Sequence, residues 1–314
     1  MTVGGRTLTS LDSVSHMALT GRQFQLVAGN AEATVVEVGA GLRRYTVKGR
    51  DITVPYGEDE VPPKGCGAVL VPWPNRIRGG RYVFDGVEQQ LALTEPVKGN
   101  ASHGLGRWAR WVPVRQEISS VTLGLDVVPQ PGWPFELHVE VTYTLDPKGN
   151  LTVAASATNT GARRLPFGAG FHPYLDVGGN AMSRVAVKLA ATHRLVTDEA
   201  AIPIGRQAVS GTRYDLHRGH KLGDLRLDDA FTGFAGADGH SWIEVTSGRQ
   251  HTKLWVDAAF GYVQVFTADL LTGGRGGVAI EPMTCPANAF NTGESLVILE
   301  PGGTWYGSWG IVPG

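Results

Sequence analysis

The chain has 314 residues, 42% hydrophobic and 18% charged, with a formal net charge of −1 and a pI near 6.8. That balance gives no electrostatic footprint for nucleic acid or an anionic membrane, and the apolar content excludes disorder and supplies a large core. Cys66 and Cys285 are too few for a disulfide framework, no run of 18 apolar residues occurs, and the opening MTVGGRTLTS lacks an apolar leader, so a soluble cytoplasmic protein is expected.

In chain order, the clear periodicities are of two residues rather than 3.6. RYVFDGVEQQLAL (81–93) carries an Asp85-Gly86 hairpin signal, and SVTLGLDV (120–127) alternates as a strand does. In ELHVEVTYTL, Leu137, Val139, Val141, Tyr143 and Leu145 alternate with Glu136, His138, Glu140, Thr142 and Thr144, which predicts a half-buried strand with His138 on its polar face. DPKGN (146–150) then supplies turn chemistry before LTVAASAT alternates again, so this pair reads as a hairpin. RVAVKL (184–189) and HTKLWVDA (251–258) repeat the pattern, while no stretch has the apolar spacing of a three-turn amphipathic helix. The 43 glycines are scattered, as many turns require, and there is no linker or repeat. The fold class expected is all-β: one large antiparallel β-sandwich domain over residues 1–314.

GFHPYLDVGG (170–179) stands apart from these patterns. Pro173 restricts His172 to extended backbone, so the imidazole leaves a strand end or strand-like turn in a fixed direction. Four other segments concentrate polar groups among aromatic residues, glycine and proline. VPWPNRIRGGRY holds Asn75 and Arg76; NASHGLGRWARW holds His103 and Arg107 beside Trp108 and Trp111; LRLDDAFTGF holds Asp228 and Asp229; VAIEPMTCPANAFN places Glu281 before Pro282. Singly, each has a plain explanation: a surface ion pair for Arg76, a turn for His103, a turn cap for Asp228, a solvated strand end for Glu281. Together they make a mixture suited to a sugar, whose ring C–H groups stack on aromatic faces while carboxylates and guanidinium groups bind its hydroxyls. There is no G-x-S-x-G, P-loop or H-E-x-x-H. His217 and His220 have metal-ligand spacing, but their loop offers no third ligand, and no metal is expected. Asp257, Asp269 and Glu300 fall at strand ends or turns, where carboxylates are ordinarily solvated.

At these residues the sequence resembles the aldose 1-epimerases (mutarotases) of the galactose mutarotase superfamily, from about residue 25 to the end. The resemblance rests on Asn75-Arg76-Ile77, His103-Gly104, His172-Pro173-Tyr174, Asp228 before Phe231, and Glu281-Pro282 followed by Asn288-Ala289-Phe290-Asn291, and on the closing EPGGTWYGSWGI. It implies a galactose mutarotase-like supersandwich that interconverts the α and β anomers of free aldohexoses. The catalytic groups it implies are Glu281 as base, His172 as acid and His103 beside the ring oxygen. Asp228, Arg76 and Asn75 would hold the sugar, with no cofactor, metal or covalent intermediate, and Glu300 is not the base. Its partner would be a small sugar, with no nucleic acid or membrane involved. Glu281 and Asp228 are expected to favour a protonated His172. Two departures bear on the substrate. GLGRWARW places Arg107 and Arg110 after His103, which is similar to the hexose-6-phosphate mutarotases, where such an arginine would clamp phosphate. The Asp228-Asp229 pair leaves two candidates for one role, of which Asp228 is favoured. A non-catalytic sugar-binding β-sandwich is the alternative from another class, although binding alone needs neither a base nor two acids.

Overall fold

Alternation along the strands sets the architecture. Leu137–Leu145 buries every odd-numbered side chain and turns the even-numbered ones outward, where His138 pairs through Nδ1 with Asp126 Oδ1 at 2.6 Å. Its hairpin with Leu151–Asn159 closes at the Leu145↔Leu151 pair. Asp146 Oδ1 accepts the backbone N–H groups of Lys148 and Asn150, both at 2.8 Å, which is the local reason DPKGN turns there. The computed structural model describes residues 18–234, 236 and 239–314.

Two large sheets, antiparallel throughout, result. The nine-stranded one runs in the order Val112–Gln116, Ser120–Val127, Leu137–Leu145, Leu151–Asn159, Thr304–Pro313, Gln250–Asp257, His240–Ser247, Ala186–Leu189, His220–Lys221. The eight-stranded one runs Pro203–Ala208, His193–Thr197, Asp228–Thr232, Tyr262–Thr272, Arg275–Met283, Gly170–Phe171, Val69–Leu70, with Tyr174–Asp176 also paired to Arg275–Met283. Their inner faces share one core. Phe171 of the second sheet packs its ring 5.3 Å from that of Trp309 in the first, and 6.0 Å from Phe260. This is the face-to-face packing of a β-sandwich. A four-stranded sheet from Gln23–Ala28 to Arg50–Asp51 adds to the same core through Leu26, Val35 and Tyr45.

Two expected elements differ in detail. The strand expected from Arg184 begins at Ala186, because Met182–Arg184 forms a single 3₁₀ turn. The Asp85-Gly86 hairpin forms, with both turn residues at positive φ (49° and 76°) as a type I′ turn requires. Among the described residues its strands pair only with each other, outside the two large sheets. The longest helix among the described residues is Ala289–Thr292, and no described helix is long and apolar enough to cross a membrane.

Phe171 joins the two sheets directly beneath the His172 position, so Phe171→Ala is expected to cost about 3–5 kcal/mol, the usual scale for a buried aromatic truncation. Urea denaturation measures it, and a loss under about 1 kcal/mol would show that the sheets do not depend on this contact.

Candidate active site

The outer face of the eight-stranded sheet carries two rows of side chains. Antiparallel register aligns Ala230, Gln264 and Glu281, and one step along it aligns Asp228, Phe266, Ala279 and Tyr174. Residues two apart on a strand share a face, so Glu281 and Ala279 point the same way, while Ile280, Val263 and Val265 point into the core. Gly170 pairs with Met283 and Tyr174 with Ala279, which places His172 opposite Glu281. His172 Nε2 lies 3.4 Å from Glu281 Oε1, a close approach without hydrogen-bond geometry, and both residues are buried (5% and 3% exposed).

Proline makes that placement possible. Pro173 has no N–H for the ladder, so the strand is interrupted at His172–Pro173, where the Pro173 carbonyl still accepts from Ile280 N–H at 3.2 Å. The His172 backbone is held instead from the other side: its N–H donates to Ala68 O at 3.1 Å, and its carbonyl accepts from Gly67 N at 2.8 Å. The imidazole stacks on the Tyr174 ring at 5.0 Å and 16°.

The opposite wall comes from two loop-borne strands, Arg76–Arg78 and Asn100–Ser102, paired Arg76↔Ser102. Asn75 (φ 54°) and His103 (φ 63°) flank this pair, both in the left-handed region that non-glycine residues seldom occupy. His103 N–H donates to Asn75 O at 2.7 Å, so each strained residue holds the other. Gly104 follows at φ 70°, where a Cβ would fall 2.1 Å from Val71 O; no other residue fits. The His103 ring meets His172 edge-on at 5.4 Å.

Between these walls is a cavity of about 340 Å³. The residues favoured from the sequence for catalysis and substrate binding all line it: Asn75, Arg76, His103, Arg107, His172, Asp228 and Glu281. Arg76 is gripped by Glu95 through Nε (2.7 Å) and Nη2 (3.0 Å), and its Nη1 donates to Asn75 Oδ1 at 3.2 Å. Gln264 Nε2 donates to Asp228 Oδ1 at 2.7 Å, and its Oε1 accepts from Asn75 Nδ2 at 3.4 Å. Gln264 and Glu95 escaped sequence reasoning. The available signals were a lone polar residue inside the apolar run YVQVF, and an acidic residue before proline in TEP.

Four other residues weighed from the sequence lie elsewhere. Asp229 pairs with Arg194, which leaves Asp228 as the carboxylate in the cavity. Arg110 turns away to Glu37 Oε2 at 2.8 Å and does not line the cavity, so of the two arginines only Arg107 is placed to meet a ligand. Glu300 sits exposed at the turn before the closing strand. His217 lies 3.5 Å from Asp215, and among the described residues no three His, Cys, Asp or Glu side chains converge on a metal position.

The electrostatics overturn the expectation that carboxylates would keep His172 protonated. Burial pushes His172 down to about 3, and Arg107 and Arg76 push the same way. His103 is held well below the ordinary histidine range by burial, then by His172 and the two arginines. Glu281 is held well above the carboxylate range by burial and by Asp228, with Arg76 opposing. A low-dielectric pocket disfavours whichever form is charged, and at these depths that outweighs the nearby opposite charge.

The aldose 1-epimerase family model matches residues 22–311, and the chain belongs to that family. It is 33% identical over 290 residues to the uncharacterized protein YihR of Escherichia coli (strain K12), covering 92% of each. It is 31% identical over 232 residues to the galactose mutarotase of Homo sapiens, covering 68% of this chain and 66% of that one. Among solved structures, the GalM/aldose epimerase homologue from C. elegans superimposes with a TM-score of 0.82 at 18% identity, over 93% of this chain and 98% of the other. The last likeness establishes the galactose mutarotase-like fold.

The two buried groups give opposite pH signs. A native Glu281 that holds its proton more tightly than the unfolded chain adds stability below the ordinary carboxylate value; this is lost as pH rises through the native value. For His172 the unfolded chain protonates first, so stability falls as pH drops from 6.5 towards about 3. Glu281→Gln is therefore expected to raise the thermal midpoint at pH 8 and give no gain at pH 4. Calorimetry at the two pH values checks this, and a midpoint at pH 8 below that of the unsubstituted protein would show that the carboxyl is stabilised as an anion.

Proposed function

We propose that this chain is an aldose 1-epimerase, acting as a single domain, that interconverts α and β anomers of an aldohexose by acid–base ring opening and reclosure. The observation that carries this is the buried His172–Glu281 juxtaposition at 3.4 Å inside a polar, sugar-sized cavity. Two facing proton-transfer groups meet the need of the reaction, which removes a proton from the C1 hydroxyl and gives one to the ring oxygen.

Glu281 takes the C1 hydroxyl proton while His172 protonates the ring oxygen. The C1–O5 bond breaks, the C1 carbonyl forms, rotation about C1–C2 exposes the other face, and the same transfers run backwards. The pair starts as carboxylate and imidazolium and ends the opening step as carboxylic acid and neutral imidazole. That second state is the one burial favours, so the cavity draws the pair towards the open-chain sugar without changing its proton count. His103 assists beside the ring oxygen, and Asp228, Arg76 and Asn75 hold hydroxyls, with Glu95 and Gln264 keeping Arg76 and Asp228 aimed.

A specific observation favours a second substrate reading, a hexose 6-phosphate. Arg107 lines the cavity beside His103, its Nε is buried without a hydrogen-bond partner among the described residues, and its guanidinium lies 5.1 Å over the Trp108 ring. Beyond the ring oxygen comes C5 and then C6, so an arginine on the histidine side is placed for a C6 substituent.

Polarimetry on fresh α-galactose, α-glucose and glucose 6-phosphate tests the function and separates the substrates. Glu281→Gln should lower kcat by about 10²–10⁴-fold, while Glu300→Gln leaves it unchanged. A folded Glu281→Gln protein with nearly full turnover would refute the mechanism. For a free-sugar enzyme, Arg107→Ala keeps kcat/KM for galactose within about tenfold; selective loss of a glucose 6-phosphate preference would establish the second substrate instead.

A further inference from the structure

Tyr174 presents a buried polar atom that the mechanism above leaves unused. The residue is 1% exposed and its ring lines the cavity, yet its hydroxyl has no hydrogen-bond partner among the described residues. Glu281 Oε2 is likewise buried and unpartnered, while Oε1 is the oxygen that faces His172. The two orphans share a sheet face. Tyr174 pairs with Ala279, two residues before Glu281 on the adjoining strand, and both side chains leave that strand pair on the cavity side. Burying one polar group unmatched is costly, and two neighbours of complementary type are a donor and acceptor in waiting.

Building on the acid–base reading, we infer that Tyr174 is a positioning residue for the base: its hydroxyl donates to Glu281 Oε2 when that carboxyl is ionised. The ring, stacked on His172, holds the acid at the same time. The phenol can only act as donor, because burial, then the charges of Glu281, Cys66 and Asp228, push its ionisation far above the ordinary range. Around Glu281 the other charged or titratable groups are His172 across the strands, Asp228 and Arg76, with His103, Arg107, Lys64 and Glu95 on the cavity walls. None of these supplies Oε2 with a hydrogen bond.

Tyr174→Phe keeps the stacked ring and removes only the hydroxyl. A donor to the carboxylate lowers the pH at which Glu281 ionises. Because Glu281 holds its proton to higher pH than His172, loss of the donor should lower kcat/KM about tenfold between the two limbs and move the alkaline limb upward by about one pH unit, leaving the acid limb in place. The infrared carbonyl band of the protonated Glu281, assigned by its disappearance in Glu281→Gln, should persist to correspondingly higher pH in Tyr174→Phe. Because no native hydrogen bond is lost, the thermal midpoint should not fall. An unshifted band titration would overturn the inference. So would a Tyr174→Phe protein that unfolds or melts well below the parent, since the hydroxyl would then be structural. Should the unsubstituted protein show no mutarotation, the proposed function fails, whereas the band titration still decides the role of Tyr174.

Discussion

The register of Arg275–Met283 with its neighbours is the constraint on which the site depends. Glu281 faces Gln264 on one side and the His172 position on the other because antiparallel pairing fixes those rows. A one-residue slip would turn Glu281 into the core and Ile280 out of it, a change the hydrophobic pattern forbids. The core that Val263, Val265, Ile280 and Phe171 build with the nine-stranded sheet therefore also aims the groups proposed to react. Stability and chemistry share one set of pairings. The prolines after His172 and Glu281 add local stiffness and, at Pro173, the gap in the ladder that frees the imidazole.

Burial then decides the protonation of what register has aimed. Opposite charges 3.4 Å apart would be expected to stabilise one another, but desolvation acts on both and wins. The consequence is chemical rather than merely structural. In the proposed reaction the carboxylate–imidazolium form, once reached, moves towards the neutral state that burial favours as it takes the proton from the sugar and gives up its own, and the outer residues would supply orientation. The left-handed Asn75 and His103, locked to each other by a 2.7 Å backbone hydrogen bond, are local strain spent on that orientation.

Much of this was legible in the sequence, and the parts that were not have identifiable causes. The alternation in Leu137–Leu145 and the Asp85-Gly86 and Asp146–Asn150 turns appear as expected, because they depend on neighbours along the chain. His172 and Glu281 stood out because each precedes a proline within an apolar setting. Gln264 and Glu95 act through partners far away in sequence, Asp228 and Asn75 for the first and Arg76 for the second, so nothing local marked them strongly. Arg110 looked equivalent to Arg107 until Glu37, 73 positions earlier, claimed it. The sense of the His172 shift was invisible for the same reason: depth of burial belongs to the assembled sheets, and only nominal charge can be read from residue letters.

The central claim is that His172 and Glu281 work as one proton-transferring unit, and its most direct measurement is a double-mutant cycle on anomer interconversion, followed by NMR magnetisation exchange between the α and β signals. Glu281→Gln, His172→Asn and the double variant would be compared with the parent under identical conditions, each checked for folding by circular dichroism. Groups that serve a single event are strongly non-additive. The double variant is predicted to be little slower than the slower single variant. Losses that multiply, with the double variant slower by the product of the two single effects, would contradict the account and assign the residues to independent steps.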